Sequence, residues 1–126
     1  MTCIISLNIW GLGATPKYLA LKHLILSLQP FIILIKETIH NVPCIVQYFQ
    51  KMFMNWYISA TAAVGLSGGL VALCDPKWIN IKAYKCFASI LLEGSIHSLP
   101  GRVHILNIYA PYKDRYIFWD HSFILG

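Results

Sequence analysis

The run Phe31-Ile32-Ile33-Leu34-Ile35, bracketed by Pro30 and by Lys36-Glu37-Thr38, constrains this chain more than any other segment. Five consecutive apolar residues, three of them β-branched, with no polar alternation describe a strand covered on both faces. A strand of that kind belongs inside a layered fold, and the polar triplet marks its carboxyl end.

The segments around it supply the layers. Thr2 to Asn8 reads as a first strand, and Gly11, Gly13 and Pro16 mark a loop before a helix from about Lys17 to Leu28. Leu19, Leu21, Leu24, Ile25 and Leu28, at spacings near three and four, give that helix an apolar face, and Pro30 ends it. Ile45 to Phe53 is a shorter helix after Pro43, and Trp56 to Ala60 a strand. Ser67-Gly68-Gly69 is expected to turn into a strand Leu70 to Cys74, with further strands at Ile79 to Cys86, Ala88 to Leu92 and Val103 to Tyr109. Lys113 to Leu125 has a helical pattern carrying Ile117, Phe118, Phe123 and Ile124. Consecutive strands with no helices between them imply mixed or antiparallel pairing, which argues against a doubly wound nucleotide-binding fold. With 126 residues and no repeat or linker, the expectation is one α/β unit around one core.

A hydrophobic fraction of 57%, a mean hydropathy of +0.60 and only 12% charged residues raise the question of a membrane span. Run length answers it, because the longest apolar stretch, Leu24 to Ile35, is broken by Ser27, Gln29 and Pro30, short of the roughly 18 to 20 residues a spanning helix needs. Met1 to Gly13 has no Lys or Arg and carries Asn8 mid-run, unlike a targeting segment. A sheet-rich interior accounts for the hydrophobicity. Ten Lys and Arg against five Asp and Glu give a net charge of +5, which permits contacts with a polyanion, although the basic residues are scattered singly. Cys3, Cys44, Cys74 and Cys86 have no zinc-ligand spacing and read as buried thiols of a reducing compartment.

Chemistry concentrates at three strand ends. Strands that finish together can bring the amide of Asn8, the carboxylate of Glu37 and the phenol of Tyr109 to one edge of a sheet, where a metal ion and a phosphate could be held. Each also has a plainer reading: a turn residue for Asn8, a solvated strand end for Glu37, a half-buried packing residue for Tyr109. Gly11-Leu12-Gly13 lacks the Gly-Lys-Ser/Thr and the third Gly that nucleotide loops need. Asp120-His121-Ser122 falls in the terminal helical pattern, and His23, His40, His97 and His104 form no tight cluster.

Taken in order, these segments resemble the exonuclease-endonuclease-phosphatase, or DNase I-like, superfamily, and most closely the endonuclease domain of plant LINE-type non-LTR retrotransposons. Ile5-Ser6-Leu7-Asn8-Ile9-Trp10-Gly11-Leu12-Gly13 is similar to that family's opening Ser-Trp-Asn-x-Arg-Gly-Leu-Gly. Lys36-Glu37-Thr38 is similar to its Gln-Glu-Thr, and Ser67-Gly68-Gly69-Leu70 to its Ser-Gly-Gly turn. Tyr109-Ala110-Pro111, with Arg115, Phe118 and Trp119, is similar to its Tyr-x-Pro and Arg-x-x-Phe-Trp segments.

The resemblance implies a partial four-layer α/β/β/α sandwich, with mixed, mostly antiparallel sheets and flanking helices. It implies Mg2+ as cofactor and DNA as partner, in an intracellular setting, nuclear or cytoplasmic. Glu37 would be the metal ligand, Asn8 would help order the metal and the phosphate, and Tyr109 would contact the scissile phosphate. Leu7 and Trp10 stand where the family has Trp and Arg, and Lys36 where it has Gln. The 126 residues contain neither the Gly-Asp-x-Asn nor the Ser-Asp-His of the family's later segments, so the resemblance describes a truncated, inactive copy. Such a copy would supply mainly the first of the two sheets and would self-associate through an exposed sheet.

Overall fold

The computed structural model describes residues 3–9, 15–36, 38–39, 41–64, 67–86, 89–97 and 99–108, with side-chain detail at all of these but 15–16, 63–64, 67–68 and 86. Among them the order of elements is β1 (Ile4–Asn8), α1 (Thr15–Leu28), β2 (Ile32–Lys36), α2 (Val42–Met52), β3 (Tyr57–Val64), β4 (Ser67–Cys74), β5 (Ile79–Cys86), β6 (Ser89–Ile96) and β7 (Val103–Ile108).

The both-face burial expected of the central run holds. β2 lies between β1, which it pairs in parallel, and β4, which it pairs antiparallel, in a mixed sheet of order β1-β2-β4-β3. Ile32, Ile33 and Ile35 have no exposed surface. Their alternation divides the interior in two. Ile33 and Ile35 join Val71 and Leu73 on the face that receives Leu21 of α1 and Ile45 and Phe49 of α2. Ile32 and Leu34 join Leu70, Ala72 and Cys74 on the opposite face, against Ile79, Ile90, Leu92 and Ile96.

Those last four residues belong to a second, antiparallel sheet of order β5-β6-β7. The expectation that the chain supplies mainly the first of two sheets is therefore corrected: the described residues build a helix layer, a mixed sheet and an antiparallel sheet. The physical reason is the period-two pattern Ile79, Ile81, Ala83 in β5, Ile90 and Leu92 in β6, and Val103 and Ile105 in β7, which gives that sheet one apolar face to bury. The first sheet is thus covered on both sides. Open instead is the outer face of the second, where Lys82, Tyr84, His104 and Leu106 are exposed and Glu93 meets Arg102 at 3.2 Å and His104 at 3.7 Å.

The helices differ from expectation mainly at their first turns. α1 begins at Thr15 and α2 at Val42, so Pro16 and Pro43 lie within first turns rather than before them, where a missing N–H breaks no intrahelical bond. Asn41 caps α2, its Oδ1 accepting from the Cys44 N–H at 2.9 Å. Of the five α1 residues expected to form its buried face, Leu21 is buried and Leu24 and Ile25 half-buried, whereas Leu19 and Leu28 are 58% and 44% exposed. A single ridge of α1 reaches the sheet, and Leu19 and Leu28 fall outside it.

Two further expectations are corrected. Ser67-Gly68-Gly69 continues β4 instead of turning, because the ladder needs only backbone and pairs Gly68 with Ala63 and Ser67 with Val64. The cysteines are not uniformly buried: Cys74 is, Cys3 is partly so, and Cys44, in the first turn of α2, is exposed. Burial pushes the Cys74 thiol up to about 12. The helix expected over Lys113 to Leu125 and the side chain of Cys86 lie outside the described residues. No helix among the described residues is long and apolar enough to cross a membrane.

Candidate metal and phosphate rim

Three strands finish at one end of the sandwich. β1 and β2 are parallel and in register from Ile4 opposite Ile32 to Asn8 opposite Lys36, so they end level, and the Ile9 N–H extends the ladder to the Lys36 carbonyl at 3.2 Å. β4 runs the other way and starts here, with Leu70 opposite Lys36. At the far end the Asp75 N–H donates to the Phe31 carbonyl at 2.9 Å, and the Ile79 N–H to the Asp75 carbonyl at 3.3 Å, which starts β5 there. β6 then returns Ile96 beside Ile79, and β7 begins beside Gly94 and finishes opposite Ser89. β7 consequently ends where β1 and β2 end.

Asn107 locks that arrangement across the two sheets. It is fully buried, and its Nδ2 donates to the Ile35 carbonyl at 3.4 Å and to the Val71 carbonyl at 3.2 Å. Its Oδ1 has no hydrogen-bond partner among the described residues. The motifs assign no role to Asn107, yet the sequence carries a signal for it, since it holds an inward position in a strand whose other inward positions are Val103 and Ile105.

Of the three residues proposed from sequence, Asn8 is placed at the exposed carboxyl end of β1, opposite Lys36. Glu37 and Tyr109 lie outside the described residues; the residues before them, Lys36 and Ile108, end β2 and β7 at this rim. Lys36 Nζ donates to Ser6 Oγ at 3.1 Å, and partial burial lowers the pKa of its ammonium. Just past Glu37, Thr38 is fully buried, its N–H donating to the Gly69 carbonyl at 3.2 Å while its Oγ1 has no partner among the described residues. Ile39 follows with φ +55°, a left-handed conformation that is an outlier for a β-branched residue and the kind of strain that collects at functional sites.

The resemblance implies a magnesium ion at this rim. No three His, Cys, Asp or Glu side chains gather anywhere among the described residues. Mg2+ does not need such a cage, because it keeps several waters and binds through one or two carboxylates. The hydroxyl oxygen of Thr38, adjoining Glu37 in sequence and with no partner among the described residues, is a hard donor of the type it takes, but it is fully buried, and the described residues form no metal site by themselves. The Lys36 ammonium opposes the ion. A neighbouring cavity of about 230 Å³ between β1 and α1 is lined by Leu7, Ile9, Ala20, Leu21 and Leu24 with Lys17 at its side, and its apolar walls suit neither a metal nor a phosphate.

Among solved structures the chain is similar to the AP endonuclease from Leishmania major, with a TM-score of 0.67 and 13% sequence identity over 86% of this chain and 40% of that one. The chain has the DNase I-like fold. It spans about 40% of the length of that endonuclease. No protein-family model and no curated protein matches the sequence. The DNase I-like architecture accounts for the two facing sheets and for strand ends that converge on one rim.

Proposed function

We propose that these residues form the first part of a nuclease domain whose chemistry is Mg2+-assisted hydrolysis of a DNA phosphodiester. The observation that carries the reading is the convergence of β1, β2 and β7 on one rim within a DNase I-like fold. Asn8 ends the first of these strands, and Glu37 and Tyr109 follow the other two in sequence. In this reading Glu37 would hold the ion, Asn8 would help order it and a phosphate oxygen, and the Tyr109 hydroxyl would contact the phosphate. When bound, the ion would supply charge neutralisation at the phosphate and the leaving oxygen. The order of motifs further supports descent from a LINE-type retrotransposon endonuclease.

Hydrolysis also needs a base for the attacking water and an acid for the leaving group. Neither Gly-Asp-x-Asn nor Ser-Asp-His occurs in the 126 residues, so a polypeptide of this sequence alone binds DNA without cutting it. The net charge of +5 supports the binding. A nicking assay on supercoiled plasmid with Mg2+ tests both halves. Intact plasmid is expected; nicking that disappears in Glu37→Ala would show the chain to be a complete enzyme, and nicking that survives it would remove Glu37 from the chemistry.

A further inference from the structure

We propose that the end of the sandwich opposite the rim is a docking surface for an anionic lipid bilayer, a role independent of those proposed for Glu37 and Tyr109. The chain's turns assemble that end. β1 begins and α1 finishes there, Cys3 Sγ donating to the Leu28 carbonyl at 3.6 Å. The Phe31 N–H donates to the Cys3 carbonyl at 3.0 Å, so β2 starts beside them, and Asp75 follows the end of β4. β3 enters opposite Cys74, soon after the turn at Met54 and Asn55. In the second sheet the His97 N–H donates to the Trp78 carbonyl at 2.9 Å and the Leu99 N–H to the Ile96 carbonyl at 3.0 Å, which brings Leu99 to the same end.

Apolar side chains collect here in the open. Of the large apolar residues exposed among the described ones, Ile4, Leu26, Leu28, Met54, Tyr57 and Leu99 lie at this end, with Met54 78% and Leu99 53% exposed, while Leu19, Tyr84 and Leu106 lie elsewhere. They come from element ends and connections rather than from one helix stripe or one strand face. A partner helix or strand would have to match that scatter, whereas a fluid bilayer surface takes up separate apolar points without matching their shape. Trp78, half-buried, has the Lys77 ammonium 5.4 Å from its ring centre, a pairing of ring and cation that suits the headgroup layer. Charge selects the kind of lipid. Lys51, in the last turn of α2, and Lys77 are exposed at this end, while the two described carboxylates are engaged, Asp75 Oδ1 accepting from the Lys77 N–H at 3.0 Å and Glu93 meeting Arg102. An anionic surface attracts both lysines. The same positive charge opposes docking of a second copy through this end, and the whole chain carries +5.

The test is sedimentation of the 126-residue chain with vesicles of phosphatidylcholine alone and of phosphatidylcholine with about 30% phosphatidylserine, in about 0.1 M and about 0.5 M salt. The expected result is binding to the phosphatidylserine vesicles that weakens severalfold at the higher salt; equal binding to both kinds of vesicle, or binding to neither, overturns the proposal. Met54→Ser combined with Leu99→Ser tests the apolar contact. Both side chains are exposed, so near-ultraviolet dichroism is expected to stay that of the parent while the affinity falls about tenfold or more. Leu19→Ser combined with Leu106→Ser removes exposed leucines away from this end and is expected to bind as the parent does. An equal loss in the two double variants overturns the placement of the surface. Lys51→Gln and Lys77→Gln are each expected to weaken binding about fivefold, and no change in either overturns the role of charge. A chain that dimerises without vesicles, and stops doing so with Met54→Ser and Leu99→Ser, would have a second copy as the occupant, which overturns the proposal equally.

Discussion

Thr38 and Gly69 are joined by a backbone hydrogen bond of 3.2 Å that carries the β2–β4 contact beyond its last paired residues, Lys36 and Leu70. Gly69 makes this bond from φ +86°, a backbone conformation in which a side chain is strained. Gly69→Ala is therefore expected to lower stability by roughly 1–2 kcal/mol, read as a shift of the urea midpoint at constant m-value. An unchanged midpoint would show that the left-handed backbone at Gly69 is not needed to hold Thr38.

How far this was legible in the sequence depends on whether a signal is local. The burial of β2 was legible because five apolar residues leave no polar face, and the common rim because Asn8 and Lys36-Glu37-Thr38 directly end apolar runs. The second sheet was not read as such, although the alternation in β5, β6 and β7 was visible, because no local pattern says which strands share a sheet. Ser67-Gly68-Gly69 reads as a turn because breaker residues signal conformational freedom, while the pairing of Ser67 and Gly68 with β3 decides its use. Leu19 and Leu28 show the opposite failure, two leucines expected on the buried face of α1 that the fold leaves 58% and 44% exposed. The left-handed backbone at Ile39 has no sequence counterpart, since nothing in a β-branched residue signals it.

That contrast among leucines can be measured. Leu21→Ala removes a side chain packed among Ile33, Phe49 and Leu73 and is expected to cost about 2–4 kcal/mol. Leu19→Ala on the outward side of the same helix is expected to stay within about 0.5 kcal/mol of the parent. Similar losses at the two positions in denaturant melts would mean that α1 is rotated from the orientation described.

Gly94 is buried in β6, and a methyl group there would collide with the backbone of β5, coming within 2.7 Å of Ile81 Cα and closer still to the Asn80 carbonyl oxygen. Backbone on both sides of that contact cannot rotate away. Gly94→Ala is expected to destabilise by more than about 3 kcal/mol, beyond the usual range for a single methyl. Retention of the parental melting temperature would show that β5 and β6 are further apart.

Cys74 and Cys44 should separate in thiol chemistry. Cys44 is exposed and should alkylate in the native chain, whereas Cys74 is buried and should react only on unfolding. Burial raises the Cys74 pKa to about 12 from 9, so the folded state holds the thiol proton more tightly than the unfolded state. The resulting contribution to stability is complete below pH 9 and is lost as pH rises towards 12. Cys74→Ala should therefore show a shallower loss of stability across that interval than the parent. Equal slopes would show that the Cys74 thiol is not desolvated in the native state.

Lys36 offers the most direct handle on the rim. Desolvation lowers its pKa, so the folded state releases this proton more readily than the unfolded state, and the contribution to stability rises as pH climbs from the lowered value to the ordinary 10.5. Lys36→Gln should abolish that rise. It should also strengthen Mg2+ binding at pH 7. An ammonium beside a divalent site costs about 1 kcal/mol through water-like dielectric at a separation of several ångströms, so removing it is expected to tighten binding about three- to tenfold at low ionic strength. The gain should shrink at 0.5 M salt, where charges several ångströms apart are largely screened from each other. Titration calorimetry at the two salt concentrations reads both effects. A Lys36→Gln chain that binds Mg2+ no better than the parent at low salt would place the ion away from the end of β2, and the metal role of Glu37 would fall with it.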